Sequence, residues 1–117
     1  MKESFSDIHR TVIDAALEKK AFDILVLDLR NRSDLTDYFI LCSGNSNIQV
    51  QAIADSIMNK TYGTEYRPIA VEGYQNGNWV ILDLVDAFVH VFHKDMRRYY
   101  DLERLWGDVP VIETEVR

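Results

Sequence analysis

Apolar positions recur along the 117-residue chain in two periods, one helical and one alternating. After Ser6, a favourable N-cap, Ile8, Val12, Ala15, Ala16 and Leu17 repeat at helical spacing opposite Arg10, Asp14 and Glu18, which predicts a helix over 7–20. Residues 23–30 and 37–43 are short runs rich in branched apolar side chains, bounded by the turn 31–34 and by Gly44. They predict two strands buried along most of their length, and with no room for a helix between them the strands should be neighbours. Asn45 or Ser46 then caps a second helix, in which Val50, Ile53, Ala54, Ile57 and Met58 form one stripe and Gly63 supplies the left-handed stop.

The second half of the chain reads mainly as sheet. Residues 69–72 form a short strand, and Asn76-Gly77 marks a tight hairpin leading to a strand over 79–84. Only three residues, Val85-Asp86-Ala87, separate this strand from the next at 88–93, so the two pair antiparallel and the sheet is mixed. A third helix is expected over 94–107, with Tyr99, Leu102, Leu105 and Trp106 on the buried arc, Arg97, Asp101 and Arg104 opposite, and Tyr100 at the edge. Pro110 keeps the tail out of a central strand. The pattern amounts to one α/β domain, a mixed sheet of about five strands flanked by helices.

Composition narrows the classes of function. Apolar residues at 47% and charged residues at 27% describe an ordinary globular chain, without linker, repeat or low-complexity tract. Thirteen Lys and Arg against nineteen Asp and Glu give a net charge of −6, which repels nucleic-acid backbones and favours a basic partner. No window approaches a membrane span and no leader pattern opens the chain, so a cytoplasmic protein that avoids DNA and membranes is expected. The single Cys42 lies in an apolar run and reads as a buried, reduced thiol.

Candidate chemistry is sparse. Asp83 and Asp86 flank a turn and could act as an acid–base pair or hold a hard cation, but carboxylates at strand ends more often cap backbone amides. His90 and His93, three apart on a strand, point to opposite faces and cannot share a metal without a bulge. His9, on the polar side of the first helix, reads as a solvated surface histidine. Gly44-Asn-Ser46 between a strand and a helix resembles a phosphate-cradling turn, yet it lacks the glycines of a nucleotide fingerprint. Along 79–84, Val80, Leu82 and Leu84 make a wholly apolar face, whereas Trp79, Ile81 and Asp83 share the other. A partly exposed Trp beside a carboxylate suits an anchor for a basic protein partner.

Asp37-Tyr-Phe, Gly44-Asn-Ser46 with Gln51-Ala-Ile-Ala-Asp55, Glu72-Gly73, Trp79-Val-Ile-Leu-Asp83, Val89-His-Val-Phe92 and Arg98-Tyr-Tyr-Asp-Leu-Glu-Arg-Leu-Trp106 together resemble the ribosomal silencing factor (Iojap-related) family over about residues 7–107. The resemblance implies a mixed α/β fold related to nucleotidyltransferases and a homodimer in the free state. It also implies a cytoplasmic, non-catalytic repressor without cofactor or metal. Such a factor binds the large ribosomal subunit through ribosomal protein L-fourteen and blocks joining of the small subunit when nutrients are scarce. Carried over position by position, the family's exposed patch falls on Trp79, Asp83, Asp86, His93, Arg97 and Tyr100. One departure is Ile48, which stands where the family often has Arg before Gln-Val. The alternative is a small nucleotide-binding enzyme of nucleotidyltransferase type, for which the expected pair of metal-holding carboxylates is missing and Asp55 stands alone.

Overall fold

A computed structural model describes residues 7–30, 34, 36–96 and 111–112. The chain runs α1 (Asp7–Glu18), β1 (Phe22–Asp28), β2 (Tyr38–Gly44), α2 (Asn47–Thr61), β3 (Ala70–Glu72), β4 (Trp79–Asp83), β5 (Ala87–His93) and β6 (Val111–Ile112). The five expected strands form the sheet, and the two-residue β6 adds a sixth at its edge, giving the order β3-β4-β5-β2-β1-β6. β2 and β5 are parallel, and the remaining pairs are antiparallel. The mixed α/β architecture expected from the sequence is therefore present. β6 lies at the edge of the sheet, and Pro110, the residue before it in sequence, lies outside the described residues.

α1 and α2 cover one face of the sheet. Their buried stripes meet Val26, Ile40, Cys42, Val80, Leu82, Val89 and Val91 in the main core. The helices approach closely through Ala15 and Ala16, and Ser56 Oγ donates to the Ala15 carbonyl at 2.8 Å. On the opposite face Leu27, Leu29, Leu41 and Phe92 form a second buried cluster, against which Leu25, Phe39, Trp79 and Met96 pack. Burial on both faces explains why β1, β2 and β5 read as nearly continuous apolar runs.

The start of α2 is built locally. Ser46 is extended and its Oγ accepts from the Gln49 backbone N–H at 3.0 Å, while Gln49 Oε1 accepts from the Asn45 N–H. This Ser-x-x-Gln reciprocity satisfies amides that a helix end otherwise leaves open. At the other end Gly63 takes φ +85°, the expected left-handed stop.

Three expectations need correction, and β1 holds a bulge besides. Leu17 is 41% exposed and Ile13 takes its place in the core, because on the helical wheel Leu17 lies nearly opposite Ile8. His9 is not a solvated surface residue: it is fully buried, edge-on to the Tyr38 ring at 4.3 Å. The wheel accounts for this too, since His9 falls inside the arc bounded by Ile8 and Ile13. β1 carries a bulge, with Phe22 opposite Ser43 but Leu25 opposite Leu41, and Asp23 absorbs the extra residue at φ +53°. Finally, the β3–β4 connection occupies 73–78, the expected span, but as a six-residue loop and not the tight hairpin that Asn76-Gly77 marks. Gly73 adopts φ +79°, where a Cβ would lie 2.1 Å from the Trp79 carbonyl oxygen.

Candidate functional site

β4 presents its two faces very differently. Val80 and Leu82 are fully buried under the helices, whereas Trp79, Ile81 and Asp83 are half-buried on the opposite face. The alternation read from the sequence therefore holds, and it places the large aromatic and the carboxylate on the same face, at opposite ends of the strand.

Several elements fix the start of this strand. Asn47 Nδ2 donates to the Asn76 carbonyl at 2.9 Å and to Asn78 Oδ1 at 2.8 Å. Gln51 Nε2 donates to the Tyr74 carbonyl at 2.8 Å. α2 thus holds the 73–78 loop through side chains that bond to it, and Trp79 follows directly. The indole stacks on Phe92, with ring centroids 5.0 Å apart and planes 30° from parallel. Its Nε1–H donates to His90 Nδ1 at 3.1 Å. His90 is 5% exposed, and burial pushes its pKa from the ordinary 6.5 down to about 4, so the ring is neutral at physiological pH.

The far end of β4 is a strained turn. Val85 has φ +76°, the Asp86 N–H donates to the Leu84 carbonyl at 2.9 Å, and Asp83 Oδ1 accepts from the Val85 N–H at 2.9 Å. These contacts describe a γ-turn of the rarer hand, and a β-branched residue at positive φ is a genuine outlier. Asp83 therefore caps a backbone amide, the simpler of its two candidate roles. Asp86 is exposed beside it on the turn.

The structure brings together only part of the expected patch. Trp79 and Asp83 lie on one face of β4, with Asp86 at the adjoining turn. His93 sits near Trp79 along the sheet, where its backbone N–H donates to the Asn78 carbonyl at 2.8 Å. Strand parity nevertheless sends its half-buried side chain to the opposite face, because Trp79 pairs with Phe92. There His93 Nδ1 accepts from the Asp95 N–H at 3.1 Å. Residues 94–96 are helical, and Arg97 and Tyr100, like Tyr99, Leu102, Leu105 and Trp106, lie outside the described residues. The sequence weighs His90 only as half of a metal pair with His93, which strand parity excludes, and so its bond to Trp79 is missed. The cross-strand register carries the signal, since it places His90 diagonally from Trp79 on the same face.

The Gly44-Asn-Ser46 turn packs closely against side chains of α2. A Cβ on Gly44 would meet Val50, Gln49 and Ile53 at 3.2–3.3 Å, and the Gln49 amide donates to Ser46 Oγ. Asp55 accepts a hydrogen bond from the Tyr74 hydroxyl at 3.0 Å, which raises the phenol's pKa. Ile48 is 78% exposed. No helix among the described residues is long and apolar enough to cross a membrane.

Comparison with known proteins gives a consistent result. The family described as ribosomal silencing factor during starvation matches residues 2–117. A ribosomal silencing factor of Halalkalibacterium halodurans is 41% identical over 112 residues, covering 96% of each chain. That of Bacillus subtilis is 47% identical over 98 residues, covering 84% of this chain and 83% of the relative. A crystal structure of a Bacillus halodurans protein superposes with a TM-score of 0.82 at 39% identity, covering 92% of this chain and 98% of that one. With a match along nearly its whole length and relatives at this identity, the chain belongs to the ribosomal silencing factor family.

Proposed function

We propose that this chain represses translation by occupying the large ribosomal subunit, seated on ribosomal protein L-fourteen, where it leaves the small subunit no room to dock. The reading needs no bond-making chemistry: one bulky body excludes another. It goes with a cytoplasmic protein that is a homodimer when free. The observation that carries the contact is the half-buried Trp79 on the face of β4 that also bears Asp83, with Asp86 beside it on the turn. A large ring with a polar rim is the composition of an interface anchor, and such an interface buries roughly 800 Å² per partner. A net charge of −6 keeps the chain off ribosomal RNA while favouring a basic ribosomal protein. Arg97 and Tyr100 would extend the patch, whereas the His93 side chain, on the opposite face of the sheet, stands apart from it.

The test is sedimentation with purified large subunits in a density gradient, at low and high salt. The chain should travel with the large subunit at low salt and leave it when small subunits are added in excess under joining conditions. Failure to co-sediment at low salt would remove the reading.

A further inference from the structure

Trp79 and His90 are diagonal neighbours on one face of β4 and β5, a spacing that large rings can bridge. An indole nitrogen can only donate, so the 3.1 Å contact requires an unprotonated Nδ1 on His90 and a proton on its Nε2. The imidazole is itself held in place. Phe39 meets it edge-on at 4.6 Å, Phe92 lies parallel to it at 6.0 Å, and Leu41 and Ile81 flank it on the adjoining strands. Stacking on Phe92 restricts the plane of the indole but leaves two orientations related by a flip of the ring. The hydrogen bond to Nδ1 selects one of them. Desolvation by these apolar neighbours keeps His90 an acceptor throughout the neutral range.

We propose that His90 is a positioning residue for partner binding: too buried to touch a large partner itself, it accepts the Trp79 N–H and so presents the indole in one orientation. The inference rests on the ribosomal reading above. Its energetic basis is preorganisation, because an anchor already ordered in the free protein loses less freedom on binding.

Two substitutions separate this role from simple packing. His90→Phe keeps a flat ring of similar size and removes the acceptor, whereas His90→Asn is smaller but places an oxygen near the site of Nδ1. If His90 only filled space, Phe would be the better replacement; if it positions Trp79, Asn would be. Titrated against purified large ribosomal subunits, His90→Phe should bind about tenfold more weakly and His90→Asn within about threefold of wild type, the scale of one buried hydrogen bond. Adding Trp79→Phe to His90→Phe should cost little more, since the two act as one unit. The Trp79 indole N–H resonance, assigned by its loss in Trp79→Phe, should move upfield in His90→Phe and stay near its wild-type position in His90→Asn. His90→Leu serves in place of His90→Phe if the latter does not fold.

Wild-type binding accompanied by undiminished binding of His90→Phe, or by weaker binding of Asn than of Phe, overturns the positioning role alone. A wild-type chain that does not bind large subunits overturns the ribosomal reading and with it any role in that binding. An indole resonance unmoved in His90→Phe would independently overturn the claim that His90 holds Trp79.

Discussion

The two faces of the sheet are built from the same strands and yet differ in chemistry. Under α1 and α2 the sheet offers aliphatic side chains, Val26, Ile40, Val80, Leu82, Val89 and Val91, all fully or almost fully buried. On the other face the side chains are larger and partly polar: Phe39, Phe88, His90, Phe92 and Trp79 form a chain of ring contacts that ends at half-buried Trp79, with Asp83 further along β4. Aliphatic burial is non-directional and supplies stability in proportion to area. Aromatic rings with polar handles prefer defined geometries, which suits them to recognition as well as to packing. The contrast teaches that one strand can divide its labour, alternate residues holding the fold and lining a partly open aromatic face.

The largest expected effect breaks the helix-covered face. Leu82→Ala should destabilise the protein by about 4 kcal/mol, the middle of the range for a fully buried leucine, visible as a lowered denaturant midpoint. The native fraction should still bind large subunits normally.

Acid should strike the aromatic face next. His90 has a folded pKa depressed to about 4 against 6.5 in the unfolded chain, so between these values the unfolded state binds more protons. Its neutral form in the core is compatible with full stability above about pH 6.5. As pH falls toward 4 that stability should decline by up to roughly 3 kcal/mol, since each tenfold difference in proton affinity between the two states is worth about 1.4 kcal/mol. Denaturant titrations at several pH values check this, and His90→Asn, with no titratable group there, should flatten the profile.

Trp79→Ala sharpens the comparison most. Because the side chain is half-buried, its loss should cost about 2 kcal/mol, less than a fully buried Trp, and leave a folded protein. Binding to large subunits, measured by sedimentation, should nevertheless fall by more than about tenfold, on the scale of an interface anchor. An unfolded variant would move Trp79 to the structural side of the division.

The smallest effect lies at the β4–β5 turn. Val85→Gly relieves a positive φ that costs a branched residue about 1–3 kcal/mol, partly offset by the greater freedom of glycine when unfolded. A net gain of about 1 kcal/mol in thermal unfolding is expected.

Much of this arrangement is legible in the sequence. The period-two alternation of 79–84 separates the faces of β4, and the short spacing before 88–93 dictates the antiparallel pair. The stripe from Val50 to Met58 locates α2. Where such reading fails, a rule of thumb has overridden geometry. His9 reads as outward-facing because histidine is polar, although its place on the wheel and the nearby Tyr38 ring give it a buried seat. The bulge at Asp23 and the turn at Val85 depend on backbone conformations that neither side chain favours, so local preference does not reveal them. The Trp79–His90 bond depends on register across two strands, which no single-strand pattern contains.

The most direct test of the account mixes purified large and small ribosomal subunits under joining conditions, with and without the wild-type chain, and resolves them on a density gradient. The account predicts a diminished joined-ribosome peak, with the chain travelling in the large-subunit fraction. Undiminished joining at saturating protein would contradict it.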